Sequence, residues 1–300
     1  MRPRRPSPLA APVRALRARP RSVGATLAVA VLASVLVTVP ATSGAFIATV
    51  RNPSNTAGSA SFFTCGSASA EDDAGALFSY TLAQPSGATV APDTASGAEP
   101  GTYRSTGEAQ SLMVSSDTTP HACPRDGGGA WSLDGTDQYL SSPLSLVGPT
   151  TFSTEIWFAT TVAGGKLFSF STGATAPGGQ YDRHTYIGAD GHLVFGVYDG
   201  EAVTITSPQA VDDGAWHHVV STLSPTSGLA LWLDGKQVAA SADYRAPEAF
   251  TGTWKIGYDA LGGVWPNVGP AYFSGSLRFA TVYSTLLTPT QIWSHYVAGR

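Results

Sequence analysis

The sequence has 300 residues, of which 43% are hydrophobic and 10% aromatic, so it can form a packed core and is not a wholly disordered chain. Its formal net charge is −4, but seven of its 17 Lys and Arg residues lie within residues 1–22, where there is no acid. Residues 23–300 therefore keep ten cations against 21 acids. Nucleic-acid binding depends on Lys and Arg contacts with phosphates, so this charge balance excludes a nucleic-acid partner.

Residues 1–45 have the layout of a signal peptide. The seven arginines precede an uncharged run at residues 23–39, and small residues follow as far as Ala45. A basic segment, an apolar segment and a small-residue cleavage site are the three parts of such a peptide. We predict cleavage after Ala45, with Ala41 as the second choice, and a secreted or cell-surface protein. The alternative that stays open is an uncleaved membrane anchor, in which case only the N-terminal segment would contact a membrane.

The chain contains two cysteines, Cys65 and Cys123. An even count in an exported chain predicts a disulfide between them. A metal site is the poorer interpretation, because His121 is the one Cys or His that lies close enough in sequence to either cysteine to act as a further ligand. The bridge would tie an otherwise weak N-terminal region to the main body of the protein.

The mature chain has the pattern of an all-β protein. Pro and Gly together make up 54 of the residues, and six Asp-Gly pairs occur. This dipeptide supplies the positive φ angles that tight hairpin turns need. Residues 184–198 predict a hairpin around the Asp-Gly pair at 190–191, and residues 228–239 predict a second around the pair at 234–235.

One segment, at the C-terminal end, predicts a helix. Thr288 can cap it and Gln291 completes a capping box, while Ile292, Trp293 and Tyr296 would share one face. Many short strands and one terminal helix predict a β-sandwich or a barrel.

Six stretches of sequence carry a resemblance to a known family. The clearest motifs are Trp-His-His-Val-Val at 216–220 and Leu-Trp-Leu-Asp-Gly at 231–235. On the order and spacing of all six, residues 76–299 resemble a laminin-G-like, concanavalin-A-type jellyroll domain of the kind found in exported actinobacterial proteins. The stretches are residues 182–198, 211–220, 229–238, 252–257, 273–277 and 291–296.

The resemblance implies an all-β fold, a two-sheet antiparallel jellyroll sandwich with one short C-terminal helix. It assigns residues 76–300 to this domain and residues 46–75 to a mature N-terminal strand segment, while the charge and apolar layout described above assigns residues 1–45 to the signal helix or anchor. Domains of this family mostly bind glycans, proteins or each other outside the cell. A fold alone does not settle function, so a catalytic site has to be tested on the residues themselves.

The sequence offers no catalytic site. Laminarinase-type enzymes on this fold carry Glu-x-Asp-x-x-Glu on one strand, which supplies the two carboxyls of a retaining glycosidase, and this chain has no such triplet. Glu155 stands alone among apolar residues and is interpreted as a solvent-facing strand carboxylate. His217 and His218 are adjacent on a predicted strand and point to opposite faces, so they cannot share one metal ion. No Gly-x-Ser-x-Gly elbow occurs, and we predict that the protein is not an enzyme.

The resemblance also implies a calcium site at the rim of the sandwich. Laminin-G domains often hold one calcium with an acid just before a strand, a second acid or amide in a later loop, and backbone carbonyls. By position, Asp182 matches the first acid and Asp259 the second. The alternative is that both are ordinary turn aspartates.

A glycine-rich loop holds the candidate glycan contacts. Trp265 and Asn267 lie in the loop at residues 261–270, and Tyr258 precedes it. An exposed aromatic ring with amide or carboxylate groups nearby is the usual device for holding a sugar. Burial of Trp265 as a loop anchor is the competing interpretation. The other tryptophans fall on strand or helix patterns and are predicted to be core or near-core: Trp131, Trp157, Trp216, Trp232, Trp254 and Trp293.

Together these features predict an exported, non-catalytic binding module that recognises a carbohydrate, or a cell-surface or extracellular protein, through the rim loops of the sandwich. Two alternatives stay open. One is a structural or adhesive wall-associated protein without a small ligand. The other is a glycan-active enzyme on the same fold.

Overall fold

A computed structural model describes residues 62–108 and 110–300. The predicted signal peptide, its cleavage sites and the alternative membrane anchor lie outside the described residues. Within the described part of the chain, no helix is long and apolar enough to cross a membrane.

The described chain consists of strands joined by turns and loops, with a helix near each end. Helix α1 spans Cys65–Glu71 and is followed by a 3-10 turn at Asp73–Gly75, and helix α2 spans Pro289–Ala298. The strands are β1 (Ala76–Tyr80), β2 (Val90–Ala91), β3 (Gly101–Ser105), β4 (Ser115–Ser116), β5 (Ala130–Asp134), β6 (Gln138–Ser141), β7 (Leu146–Val147), β8 (Phe152–Ala159), β9 (Lys166–Ser171), β10 (Tyr181–Ile187), β11 (His192–Tyr198), β12 (Ala202–Ala210), β13 (Trp216–Ser224), β14 (Gly228–Leu233), β15 (Lys236–Ser241), β16 (Thr251–Gly257) and β17 (Ser274–Tyr283).

These strands form two antiparallel sheets. The first, which we call the helix-covered sheet, has the order β15-β14-β13-β8-β17-β5-β4, with β1 also paired to β17. The second, which we call the loop-covered sheet, has the order β12-β11-β10-β9-β16-β6-β3-β2, with β7 also paired to β16. The predicted all-β, two-sheet jellyroll sandwich is confirmed.

Alternate residues of the strands face inward and form the apolar core between the sheets. On β8 of the helix-covered sheet, Phe152, Ile156 and Phe158 are fully buried. On the loop-covered sheet, Trp254 is fully buried as well, and its ring lies edge-on to Phe152 with 5.3 Å between ring centroids. Residues 153, 155, 157 and 159 of β8 therefore point away from the core, to the outer face of their sheet.

Both predicted hairpins are present. Strands β10 and β11 pair on either side of the Asp-Gly turn at 190–191, and β14 and β15 pair on either side of the turn at 234–235. Gly191 and Gly235 have φ angles of 80° and 76°, in the left-handed region that this turn requires and that glycine adopts without strain.

Helix α2 begins as predicted. The side chain of Thr288 accepts a hydrogen bond from the backbone of Gln291, and the Gln291 side chain bonds back to the backbone of Thr288. The predicted face is only partly correct, because Ile292 and His295 are buried against the helix-covered sheet whereas Trp293 is largely exposed. Trp293 is thus not a core tryptophan.

The segment at 46–75 was predicted to be a strand segment, and its described part is instead helical. Thr64 caps α1 with its side-chain oxygen, and α1 lies on the outer face of the helix-covered sheet beside α2. Cys65 and Cys123 form the predicted disulfide. The backbone N–H of Cys123 donates to the carbonyl of Gly299 at 2.8 Å, so both ends of the described chain meet at this bridge.

Candidate functional site

Asp182, the first predicted calcium ligand, is fully buried at the start of β10. Its carboxylate accepts hydrogen bonds from the backbone N–H groups of Tyr198 at 2.7 Å and Glu248 at 2.9 Å. The guanidinium of Arg183 lies 3.1 Å from the same carboxylate, although burial outweighs these partners and raises the pKa of Asp182. Its oxygens are used to join β11 and residue 248 to the rim of the loop-covered sheet.

Asp259, the second predicted ligand, is also fully buried. It accepts from the backbone of Gly178 at 2.9 Å and from the hydroxyl of Ser169 at 3.2 Å. Asp182 is the cross-strand partner of Phe170, which belongs to the core, whereas Ser169 is the next residue and points to the opposite face.

The structure therefore does not bring the two predicted calcium ligands together. Asp182 lies toward the inner face of the loop-covered sheet and Asp259 on its outer face, and each carboxylate is already held by protein donors. Within residues 62–108 and 110–300, the group of metal-ligand side chains whose atoms lie within 4.8 Å of one another is Cys65, Cys123 and Asp126, and its two sulfurs form the disulfide. Calcium binding stays a prediction.

Trp265 is buried as a loop anchor, so the structure supports that interpretation of the sequence and not the exposed aromatic ring. Only 5% of its surface is exposed, and it packs on Tyr186 and Val194 on the outer face of the loop-covered sheet. Its indole lies edge-on to the ring of His184, with 4.4 Å between ring centroids. Glycine-rich flanking sequence is compatible with this burial, because small residues let the loop lie close to the sheet.

The other two predicted ligand contacts have partners within the protein. Asn267 donates its side-chain N–H to Asp190, and its carbonyl accepts from Ala189, so it fastens the loop to the β10–β11 turn. Tyr258 stacks on Tyr272 with 3.6 Å between ring centroids. Each of the three predicted residues is thus engaged by other parts of the protein.

A cavity that the sequence did not reveal lies beside Trp265 at the rim of the loop-covered sheet. It has a volume of about 320 Å³, and we call it the tyrosine pocket. Its walls carry Tyr181, Tyr198, Gln180 and Glu248, and the loop at 262–265 completes it.

Hairpin geometry brings the two tyrosines together. Tyr181 begins β10 and Tyr198 ends β11, so antiparallel pairing places both at the same end of the hairpin. This is a signal that the sequence did contain, because the Asp-Gly turn at 190–191 fixes the register. Both rings are half-buried.

The polar side chains of the tyrosine pocket are free for a ligand. Within the described residues, the hydroxyls of Tyr181 and Tyr198, the amide of Gln180 and the side-chain carboxylate of Glu248 make no hydrogen bond to the protein. Donors and acceptors are therefore both presented next to aromatic ring faces, which is the composition that fits a sugar ring.

A buried basic layer lies beneath Tyr181. The ammonium of Lys166 is 5.8 Å from the centre of the Tyr181 ring, 3.2 Å from Nδ1 of His184, and donates to the carbonyl of Ala260. Burial lowers the pKa of Lys166 to about 7, and burial together with this lysine lowers the pKa of His184 well below its usual value. Lys166 is therefore only partly charged near pH 7, and Glu248 is the acidic side chain that lines the pocket.

Glu155 is not the solvent-facing carboxylate that the sequence predicted. It is 5% exposed and accepts hydrogen bonds from Nε2 of His218 at 2.6 Å, Nδ1 of His295 at 2.9 Å and the hydroxyl of Tyr283 at 2.7 Å. Nε2 of His295 lies 3.0 Å from the carboxylate of Asp72. We call these five residues the buried acid–histidine network.

Charge in this network is well compensated. Burial opposes ionisation of Glu155, but the charge of His295 and hydrogen bonds from His218 and His295 outweigh it and lower the pKa of Glu155. Burial likewise opposes protonation of His295, yet Glu155 and Asp72 raise its pKa to about 9. The result is an imidazolium between two carboxylates, which joins α2 to β8 and to the residue after α1.

The surroundings of Glu155 give it a structural role. The cavity that it lines measures about 20 Å³, which can hold a water molecule but not a sugar ring. His217 points to the opposite face from His218 and contacts Asp213 and Asp234. The two histidines therefore have separate partners, as their adjacent strand positions required.

A family model described as the concanavalin A-like lectin/glucanases superfamily matches residues 134–293. Among solved structures, the binding domain of botulinum neurotoxin serotype D/C is similar with a TM-score of 0.52 and 10% sequence identity, covering 75% of this chain and 52% of that chain. Another structure of the neurotoxin DC binding domain, in complex with rat synaptotagmin II, gives a TM-score of 0.50 at 10% identity, with 75% and 52% covered.

Botulinum neurotoxin type C, whose cell entry depends on interaction with two ganglioside molecules, gives a TM-score of 0.50 at 11% identity, covering 77% of this chain and 52% of that chain. The chain spans about half the length of these binding domains, and identities this low show a shared fold alone. The sequence matches no curated protein.

Proposed function

The chain belongs to the concanavalin A-like lectin/glucanases superfamily, and from this premise we propose that it is an exported, non-catalytic module that binds a neutral carbohydrate in the tyrosine pocket. The observation that carries the proposal is the set of free polar side chains around Tyr181 and Tyr198. Gln180, Glu248 and the two tyrosine hydroxyls offer both donors and acceptors to a sugar's hydroxyl groups. The aromatic faces suit the C–H surface of a pyranose.

The charge of the tyrosine pocket favours a neutral saccharide over an acidic one. Glu248 is the charged group at its surface, and Lys166 is buried beneath Tyr181 with its pKa lowered to about 7. A carboxylate on the ligand would therefore meet a like charge and no exposed cation. The structural neighbours that bind a protein or gangliosides support a binding role for this fold, although fold likeness does not carry a ligand across.

A glycan array followed by titration calorimetry tests this function. We expect the mature protein to bind at least one neutral oligosaccharide, and Tyr198→Ala to weaken that binding at least tenfold, because the aromatic face and hydroxyl are both lost. Trp293→Ala is the matched control, since it removes an exposed aromatic ring on α2 and should leave the affinity unchanged. The proposal would be rejected if no neutral glycan on the array bound. It would also be rejected if Tyr181→Ala and Tyr198→Ala both left the affinity unchanged.

A non-catalytic role is proposed on the geometry around Glu155. Because Glu155 is buried beneath α1 and α2, we expect the purified protein to leave a panel of β-glucans intact. Hydrolysis that Glu155→Gln abolishes, in a variant shown to be folded by circular dichroism, would identify a glycan-active enzyme instead.

A further inference from the structure

The outer face of the helix-covered sheet carries a groove that no part of the tyrosine pocket touches. Its volume is about 720 Å³, within the range of ligand sites. Small residues of β5, β8 and β17 form the floor: Ala130, Ala159 and Ser276. The loop at 116–124 forms one wall, and the end of α2 forms the other. We call this cavity the tryptophan groove.

Three aromatic side chains line one end of the groove. Trp157 stacks on Tyr296 with 5.9 Å between ring centroids and 15° between the planes, and Trp216 is half-buried beside them. Trp157 and Trp216 were predicted to be core or near-core tryptophans. Trp157 is 4% exposed and belongs to a buried cluster, as predicted, whereas Trp216 is half-buried at the edge of that cluster. Both strand positions face outward, and the groove leaves part of the Trp216 surface uncovered.

The groove presents hydrogen-bond donors without partners. Within the described residues, the indole N–H groups of Trp157 and Trp216 and the hydroxyl of Tyr296 make no hydrogen bond to the protein. An indole N–H can only donate. A ligand that uses this face must therefore supply acceptor oxygens beside an apolar surface.

His121 adds a polar side chain to the wall. The guanidinium of Arg278 lies 2.7 Å from Nδ1 of His121 and donates to the carbonyl of Ala122 at 2.6 Å. The same carbonyl lies 2.9 Å from Nδ1. Nε2 of His121 has no hydrogen-bond partner within the described chain, so it can meet a polar group of a ligand.

Arg300 supplies the charged side chain of the groove lining. Within the described residues, no carboxylate side chain lines the groove, and the guanidinium of Arg300 lies over the ring of Tyr296, 5.5 Å from its centre. The flanking acids Asp213 and Asp234 contact His217, and burial and the charge of Asp234 raise the pKa of Tyr296 against the opposing effect of Arg300. Buried Arg278 bonds to backbone carbonyls and His121, with no carboxylate hydrogen-bonded to it.

We propose that the tryptophan groove binds a glycan that carries a carboxylate, such as a chain containing uronic or sialic acid. Its apolar sugar face lies on Trp216, beside the stacked pair of Trp157 and Tyr296, and its carboxylate pairs with Arg300. The unpaired donors along the groove bond to hydroxyl and ring oxygens. This site goes beyond the proposed function, because the tyrosine pocket lies on the other sheet and its surface charge is of opposite sign.

Matched ligands separate charge from shape. Galacturonic acid trisaccharide and sialyllactose are each compared with the same compound as its methyl ester, by calorimetry on the mature protein. We expect the acid form to bind at least tenfold more tightly than the ester. The proposal is overturned if neither acid binds, or if acid and ester bind with equal affinity. It is also overturned if benzoate binds as tightly as the acidic oligosaccharides.

Three variants locate the binding. Trp216→Ala should weaken binding of the acid form at least tenfold, and Arg300→Gln, at an exposed position, should remove the preference for acid over ester. Tyr198→Ala should change neither, which separates this site from the tyrosine pocket. The assignment is contradicted if the Arg300→Gln variant still binds the acid form more tightly than the ester. This test stands even if Trp216→Ala destabilises the protein.

Discussion

The outer faces of the two sheets bury charge in contrasting ways. On the helix-covered sheet, Glu155 receives three hydrogen bonds, and His295 lies between two carboxylates. On the loop-covered sheet, Lys166 and Lys255 are fully buried, and their ammonium groups are held mainly by carbonyls and hydroxyls. The nearest acid to Lys255 is Asp259, at 3.9 Å.

The difference shows what each cover does. Two helices distant in sequence are fixed to the first sheet by a charged network that depends on all its members, because removing one member of a buried pair leaves an uncompensated charge. The loops on the second sheet are fixed by many separate backbone contacts. Loss of one such contact is tolerated more readily, and this is the side that presents the tyrosine pocket.

The largest expected effect is loss of the disulfide, which exists only on the helix-covered side of the described chain. Replacing both Cys65 and Cys123 with Ser frees a loop with a sequence separation of 58 residues. The chain-entropy relation then predicts a loss of about 4 kcal/mol in the free energy of unfolding. Urea denaturation measures this, with Ser116→Ala as control, and a loss below about 1 kcal/mol would show that non-covalent contacts hold α1.

Next is a direct contrast of one buried group from each face. Glu155→Gln should lower the free energy of unfolding by about 3 kcal/mol, because His295 keeps its charge and loses one carboxylate. Lys166→Met should cost about 1 kcal/mol or less, since an apolar side chain of similar volume replaces a poorly paired ammonium. Glu201→Gln, at an exposed turn, is the control for charge alone. Equal losses in the two variants would remove the distinction between the faces.

The pH dependence of stability should differ in sign between the faces. The pKa of His295 is raised to about 9, so its stabilising protonation is complete below about pH 6.5 and is lost as pH rises toward 9. The pKa of Lys166 is lowered to about 7, so the unfolded chain binds more protons and stability increases over the same range.

Between pH 7 and pH 9, each group accounts for a change of about 2 kcal/mol in the free energy of unfolding. The two largely cancel in the wild-type protein. Lys166→Met should therefore lose stability across this range, and His295→Gln should gain it, when urea unfolding is followed at several pH values. Two variants with the same slope would contradict the assignment of these pKa shifts.

The smallest effect concerns the start of α2. Thr288→Ala removes the side-chain acceptor for the N–H of Gln291, and loss of such a cap costs about 1 kcal/mol. Thr290→Ala is the matched control within the helix, where alanine has the higher helix propensity and should be neutral or slightly stabilising. Thermal melts of both variants make the comparison, and equal melting temperatures would mean that the packing of Ile292 alone fixes the helix.

Much of the fold followed from local pattern. Asp-Gly pairs predicted both hairpins, the capping box predicted α2, and the cysteine count predicted the bridge between Cys65 and Cys123. Each of these depends on residues close in sequence or on simple chemistry.

The outer faces were not predictable in the same way. A two-residue period states that Glu155 and Trp157 share one face, but not that residues 65–71 and 289–298 would cover that face and bury the carboxylate. The same limit applied to Asp182, whose partners Tyr198 and Glu248 lie 16 and 66 residues away. Burial of Trp265 was left open because its loop's glycines fit either outcome.

In mechanical terms, the hydrogen bond between Cys123 and Gly299 sets where tension would travel. A pull applied between residues 65 and 299 enters residue 123 through the disulfide and reaches the last turn of α2 at that same place. The force path is therefore short and runs over the surface of the helix-covered sheet. Strands β8, β13 and β17 lie beside this path rather than along it. The sandwich would therefore carry little of the force until α2 detaches from the sheet.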